Sequence, residues 1–234
     1  MRTVVHPRES AASVDPETRL LDAFRAPSYR PPRLPRVGLD LMEESRRPDA
    51  DPARLISRIE LDPGLTIDVL RLAHAPAYAG AAGVASVEQI LMRLGSEALN
   101  ELVLQASLAP LFRVKGYEEP MKALWRHARA TAHITRIVCR QTALDEGYAF
   151  VCGLLHDAGI VAALAELSRS DTPPPFETVW PSVEAVHDEV GATVARHWRL
   201  PIDVAYVLQF HHHRDAQAHH HPMAAAVCVA DRLA

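Results

Sequence analysis

The chain has few of the features that mark secreted, membrane-spanning or nucleic-acid-binding proteins. Its 234 residues include three cysteines with no close pair, Cys139, Cys152 and Cys228. This pattern argues against a disulfide framework or a Cys-x-x-Cys zinc site and fits a reducing cytoplasm. No uninterrupted apolar run approaches the length of a membrane span, and the N-terminus has no signal-peptide core. The formal net charge of −4 argues against a general nucleic-acid binder.

The chain also lacks the alternating apolar and polar runs that are typical of strands, and its local signals are helical. Asp51-Pro52 and Asp62-Pro63 each place a capping carboxylate before a proline at the first helical position. Ser86, with Gln89 three residues later, forms a capping box, and Gly95 can end that helix in a left-handed conformation. Apolar residues make up 48% of the chain, enough for a packed core. These patterns predict an all-α fold.

The second half gives two further boundary predictions. Residues Val151 to Ala158 are predicted to form a short apolar helix that stops at Gly159. Ser182 is predicted to cap a helix that carries Val183 and Val186 on one face.

The N-terminal segment has a different composition. Between Arg25 and Arg36 lie four prolines, four arginines and no acidic residue. Because such a segment cannot propagate a helix or join a central strand, residues 1–37 are predicted to form a flexible Pro/Arg-rich leader. This leader could be a solvated tether or a basic arm that docks a partner. Binding of nucleic acid through it is disfavoured by the negative charge of the whole chain.

Histidine is the residue type that stands out, with 13 copies, six of them between residues 211 and 221. The triplet His219–His221 precedes Pro222, and its role is left open between a solvated loop and the rim of a pocket. A more informative signal is His156-Asp157 within an apolar helical stretch, since burying both polar groups is costly unless each has a partner. A divalent metal would serve both groups.

Further candidate ligands lie on apolar helical faces elsewhere in the chain. They are His127, His187, His211, His212 and Asp231. Each of these residues alone is as well explained by a structural role. Their shared placement beside apolar residues favours a common site.

The order of these residues resembles the metal-ligand order of the HD superfamily of metal-dependent phosphohydrolases. The motifs Leu61–Thr66, Leu70–His74, Ser86–Gly95 and Trp198–Pro201 further resemble the HDOD domain, a branch of that superfamily. The resemblance implies a multi-helix HD-domain-like bundle, with an N-terminal helical part at residues 38–116 and an HD-like part at residues 117–234.

The same resemblance implies a site for one or two divalent ions, of iron, manganese or zinc, with His156 and Asp157 as the catalytic residues. One ion would be held by His127, His156, Asp157 and Asp231. The second ion would be held by His187, His211 and His212.

Three departures from the related HD-GYP phosphodiesterases weaken the expectation of catalysis. Ile160 stands where a lysine is expected, Ala123 replaces a glutamate, and residues 213–219 replace the GYP-containing loop. Without the lysine, a phosphate's charge is not neutralised by a side chain at that position. We therefore expect a bacterial signal-transduction module that retains a metal site and acts on a signalling protein partner. The alternative is a metal-dependent phosphohydrolase acting on a nucleotide, cyclic dinucleotide or other phosphorylated small molecule.

Overall fold

The computed structural model describes residues 16–44, 47, 49, 51–76, 78, 83–212 and 221–234. These ranges contain eleven α-helices, a short 3-10 helix at Ala109–Phe112 and no strand, so the all-α prediction is confirmed. The helices are α1 Pro16–Arg25, α2 Arg36–Glu44, α3 Pro52–Glu60, α4 Pro63–Ala73, α5 Val87–Leu108, α6 Glu118–Arg140, α7 Glu146–Leu155, α8 Ala158–Leu167, α9 Phe176–Trp198, α10 Ile202–Phe210 and α11 Pro222–Asp231.

The predicted helix starts in the first half are confirmed. The Asp51 carboxylate accepts a hydrogen bond from the backbone N–H of Ala53 at 3.0 Å, and that of Asp62 accepts one from Leu65 at 3.1 Å. The Ser86 hydroxyl accepts from the N–H of Gln89 at 3.2 Å. Gly95, which was predicted to end this helix, has a non-helical backbone with φ of 84° and kinks α5, which continues to Leu108. Each of these signals is local, which is why it can be read from the sequence.

Both predicted boundaries in the second half are wrong. The chain breaks at His156-Asp157, between α7 and α8, and Gly159 lies inside α8. Gly159 is required there for close packing, because a Cβ atom would overlap the carbonyl oxygen of His187 on α9. Helix α9 begins at Phe176, ahead of Ser182, and includes Pro181. Pro181 is the sixth residue of α9, where it removes one i→i−4 hydrogen bond, yet the helix continues through it.

The segment predicted to be a flexible leader, residues 1–37, includes a helix that the sequence did not predict, α1, and the start of α2. Helix α1 packs against α9 and buries Leu20 and Phe24. Downstream of it, the indole N–H of Trp198 donates a 2.8 Å hydrogen bond to the carbonyl of Pro32. The prolines prevent a helix, but their extended backbone keeps carbonyl groups free to accept such bonds. Residues 1–15 lie outside the described residues.

The helices pack as two neighbouring groups that meet at α5, α6 and α7. Helices α2, α3 and α4 pack on α5, while α6 to α11 pack mainly on one another. The stretch Tyr148–Leu167, which comprises most of α7 and all of α8, is interrupted by His156 and Asp157 but has the length and average apolarity of a membrane span. Within it, 94% of the most apolar window is buried inside the protein. This stretch forms the centre of the second group and carries His156 and Asp157 at its break.

Candidate metal centre

The seven predicted ligands come together from five different parts of the second group of helices. His127 lies on α6 and His187 on α9, while Asp231 is the last residue of α11. The other four occupy helix ends: His156 and Asp157 between α7 and α8, and His211 and His212 after α10. They form two sets of four, each with its ligand atoms within 4.8 Å of one another, and Asp157 belongs to both.

The first set is centred on His156 and two carboxylates. Nε2 of His156 lies 3.1 Å from Oδ2 of Asp157 and 3.3 Å from Oδ1 of Asp231. Nε2 of His127 lies 2.8 Å from the same Asp231 oxygen and 3.9 Å from Oδ2 of Asp157. Two imidazole nitrogens and two carboxylates therefore surround one point.

The second set uses the other oxygen of Asp157. Nε2 of His211 lies 3.4 Å from Oδ1 of Asp157. The ring of His187 lies 5.6 Å from the ring of His211 and 5.0 Å from that of His212, measured between centroids. Because its two oxygens face different sets, the Asp157 carboxylate is placed as a bridge between them.

Backbone hydrogen bonds fix the orientation of three of the imidazoles. Nδ1 of His156 donates to Gly153 O at 2.7 Å, Nδ1 of His187 to Glu184 O at 2.6 Å, and Nδ1 of His211 to Val207 O at 3.0 Å. A carbonyl can only accept, so Nδ1 of each ring carries a proton and Nε2 is the atom directed into the cluster.

The atoms that point inward lack the partners that buried polar atoms normally have. Nε2 of His156, His187 and His211 and Oδ1 of Asp157 are buried, and although their nearest partners lie 3.1–3.4 Å away, none of these contacts has the geometry of a hydrogen bond among the described residues. Leaving such atoms unpaired costs about 1–3 kcal/mol each. All four are lone-pair atoms of the type that coordinates divalent metals, so the residues present fit a metal centre.

The electrostatics of the cluster favour positive charge at its centre. Burial opposes the charged form of His156, but the carboxylates of Asp157 and Asp231 outweigh burial and raise its pKa to about 10. Burial acts in the opposite sense on Asp157, yet His156 and His211 hold the pKa of its carboxyl well below the ordinary value. Burial and the charges on His211 and His187 lower the pKa of His212 to about 4. Without metal, a proton on His156 supplies the positive charge.

A cavity of about 420 Å³ opens onto the cluster, with His127, Asp157, His187 and His212 on its wall. The rest of its wall is mostly apolar. The residues concerned are Pro120, Ala123, Leu124, Ile160, Leu164, Phe176 and Trp180. No lysine or arginine lines this cavity in the part of the chain that the structure describes. The two replaced positions, Ala123 and Ile160, therefore both face the space beside the candidate metal ligands.

Comparison with known proteins identifies the family of this chain. The family model of the HDOD domain matches residues 32–214. The chain belongs to the HDOD domain family. Helix α1 and Asp231 lie outside the matched HDOD segment. A search of curated proteins finds no match to the chain.

Solved structures share this HDOD fold. An HDOD domain protein of unknown function from Geobacter sulfurreducens is 26% identical, with a TM-score of 0.76 over 94% of this chain and 78% of that one. A protein from Shewanella amazonensis, provisionally named a metal-dependent phosphohydrolase, is 18% identical, with a TM-score of 0.68 over 93% and 82%. One from Marinobacter aquaeolei, provisionally named a signal transduction protein, is 21% identical, with a TM-score of 0.67 over 94% and 56%. The last two show the fold alone.

The sequence analysis missed two acidic residues that lie beside the seven candidate metal ligands. Oδ1 of Asp188 lies 3.2 Å from Nε2 of His187 and 3.9 Å from Nδ1 of His211. Asp188 could have been identified from the sequence, because His187-Asp188 is a second adjacent His-Asp pair like His156-Asp157. Glu184 lines the cavity one helical turn before His187, but nothing in its sequence setting distinguishes it from other exposed helical glutamates.

Among the other histidines of the 211–221 window, His221 has a structural role. Its Nδ1 accepts a hydrogen bond from the N–H of Ala224 at 3.3 Å and so caps α11. Its ring stacks on Tyr206 at a centroid distance of 4.6 Å. His219 and His220 lie outside the described residues, as does the 213–219 segment that replaces the GYP-containing loop.

Proposed function

We propose that this HDOD protein is a signal-transduction module that holds two divalent metal ions and acts on a protein partner. The observation that carries the proposal is the set of buried, inward-facing atoms without hydrogen-bond partners, on His156, His187, His211 and Asp157. A cluster built of lone-pair atoms around a shared carboxylate is stable when cations occupy it. A purely structural cluster would be expected to include its own donors.

One ion would be held by His127, His156, Asp157 and Asp231, and the other by Asp157, His187, His211 and His212. Imidazole and carboxylate ligands suit iron, manganese and zinc alike. The backbone bonds from Nδ1 would orient three of the rings before metal binds, which reduces the ordering required on binding.

Elemental analysis of the chain, purified without an affinity tag, tests this proposal. We expect about two equivalents of metal per chain, and a large loss in His156→Ala. His133→Ala is the matched control, because His133 packs against Phe150 outside the cluster, with ring centroids 5.1 Å apart. Less than about a tenth of an equivalent, unchanged on adding iron, manganese or zinc, would refute the metal centre.

A second candidate function is hydrolysis of a phosphoester at the same centre. The observation that favours it is the cavity beside the cluster, which is large enough to admit a small ligand to Asp157 and His212. Bound divalent ions would polarise a phosphoryl oxygen and lower the pKa of water. Within the described residues, this chain's own contribution is to bind the ions and to shape an apolar pocket without a phosphate-neutralising cation.

Assays with two generic substrates, bis(p-nitrophenyl) phosphate and p-nitrophenyl phosphate, separate the two functions. Turnover that needs added metal, is abolished in Asp157→Ala and is kept in His133→Ala would establish hydrolysis. A protein that holds two ions and turns over neither these nor cyclic dinucleotides would instead support a regulatory module.

A further inference from the structure

A second cavity, of about 530 Å³, lies where α4, the 3-10 helix and α6 meet. It contains none of the seven candidate metal ligands. Helix α6 faces it with Met121, Lys122 and Trp125, whereas Ala123, Leu124 and His127 of the same helix face the metal-side cavity. The two cavities therefore lie on different faces of one helix.

The wall of this second cavity is cationic. Arg71, Arg113, Lys115 and Lys122 line it, against one acidic residue, Glu118. Arg71 is paired with Asp68 at 2.7 Å and Lys122 with Glu119 at 2.6 Å. Arg113 and Lys115 are exposed and form no ion pair within the described residues.

The one acidic residue on the wall is already engaged by the backbone. The Glu118 carboxylate accepts a 3.0 Å hydrogen bond from the N–H of Gly116, and its pKa is lowered by that bond. That hydrogen bond favours the charged form of Glu118. Arg113 and Lys115 outweigh this one carboxylate, since Arg71 and Lys122 are balanced by Asp68 and Glu119, so the wall keeps a net positive charge that favours anions.

The same cavity has an aromatic wall. Phe112 is buried and packs against Trp125 with ring centroids 4.8 Å apart, while Trp125 is partly exposed. Val114, Met121 and Ala109 complete the apolar surface. An indole beside such a surface suits a planar ring, and a base stacks on an aromatic side chain with a gain that depends little on the identity of the base.

We propose that this cavity binds a nucleotide, with its phosphates near Arg113 and Lys115 and its base against Trp125. Cations and an aromatic ring in one cavity match the two halves of such a ligand, and the volume lies within the range of small-molecule sites. The site is independent of the metal centre. It lies on the same helix, since Trp125 is two residues from His127, so a bound nucleotide contacts the element that supplies a candidate metal ligand.

Calorimetric titration of the full chain with ADP, in the presence of EDTA, tests the proposal. We expect saturable binding that weakens by about tenfold or more in the double variant Arg113→Glu with Lys115→Glu. Trp125→Ala should weaken it by about tenfold through loss of stacking. Adenosine and pyrophosphate, each offering one half of the ligand, should bind more weakly than ADP. Asp157→Ala should leave ADP binding unchanged.

The matched control is Arg33→Glu with Arg54→Glu, which changes the net charge equally at exposed residues that do not line this cavity. Its ADP affinity should equal that of the unmodified chain, and thermal melting should confirm that every variant is folded. Absence of ADP binding at about 1 mM would overturn the proposal. So would equal weakening in the control, loss of binding in Asp157→Ala, or pyrophosphate binding as tightly as ADP.

Discussion

Two buried polar clusters in this protein differ in how their charges are balanced. At the contact between α5 and α6, buried Glu101 is ion-paired with Arg136. Beside it, the amide of Gln105 donates to the Tyr78 hydroxyl at 2.9 Å, and that hydroxyl donates to Glu101 at 3.4 Å. This cluster contains its own cation and its own donors, although Oε1 of Gln105 and Nε of Arg136 are also buried without a hydrogen-bond partner among the described residues.

The cluster around Asp157 contains neither a lysine nor an arginine. Its inward-facing atoms are imidazole nitrogens and carboxylate oxygens, and several are buried without a hydrogen-bond partner in the described part of the chain. In the metal-free protein a proton on His156 compensates, since the pKa of that imidazole is raised to about 10. Burial of polar groups therefore does not by itself indicate a metal site. A shortage of hydrogen-bond donors and of cationic side chains, as in the cluster around Asp157, favours one.

The largest effect that separates the clusters is on metal content. Asp157→Ala should reduce bound metal from about two equivalents to near zero, because its carboxylate belongs to both sets. His127→Ala and His187→Ala should each remove about one equivalent, since each belongs to one set. Elemental analysis checks this, with Glu101→Gln as the control that should keep both ions. Equal losses from all three cluster variants would contradict the division into two sets.

The next effect concerns the backbone that holds the two halves of the site together. Gly159→Ala would push a Cβ atom into the His187 carbonyl and within 2.8 Å of Gly191 N, forcing α8 away from α9. We expect a loss of about 3 kcal/mol in the free energy of unfolding and reduced metal content. Gly38→Ala is the matched helical control, because its Cβ would make an ordinary 3.6 Å contact with Ser107. Similar denaturation midpoints for the two variants would show that the contact between α8 and α9 can accommodate a methyl group at residue 159.

A smaller effect is expected at the cluster that balances its own charge. Glu101→Gln should lower the free energy of unfolding by about 2 kcal/mol, because Arg136 loses its buried partner. The loss is limited, since Arg136 keeps Glu97 at 3.4 Å. Urea denaturation measures this change. If metal content fell together with stability, the two clusters would be coupled, and the view that each balances its charge separately would be wrong.

The smallest effect tests the missing cation of the metal-side cavity. Ile160→Lys would place an ammonium group on the cavity wall beside Asp157. In metal-loaded protein, affinity for inorganic phosphate should rise a few-fold, about 1 kcal/mol, by calorimetry. Ile160→Met serves as the uncharged control. An unchanged affinity would show that phosphate does not reach residue 160.

The sequence predicted features whose causes are local. The caps at Asp51, Asp62 and Ser86 need atoms only two or three residues away, and the structure confirms them. Helix α1 was not predicted, because the prolines from Pro27 onward led us to interpret the whole N-terminal segment as a flexible leader. The break at His156-Asp157 was missed because an apolar run on both sides of a pair reads as one continuous helix.

The candidate site depends on contacts that spacing does not encode. His127 and Asp231 lie 104 positions apart and are joined by a 2.8 Å hydrogen bond. Their pairing was predicted from the resemblance to HD-type proteins. The resemblance gave no comparable guide to the second cavity, because Trp125, Arg113 and Arg71 come from three separate parts of the chain.

The claim that Asp157 bridges two ions is tested most directly by electron paramagnetic resonance of the metal-free chain reloaded with two equivalents of Mn²⁺. We expect a spin-coupled pair in the unmodified protein, and a single uncoupled ion in His127→Ala and in His187→Ala. Two uncoupled ions in the unmodified protein, or no bound Mn²⁺ at all, would rule out a carboxylate shared between two ions.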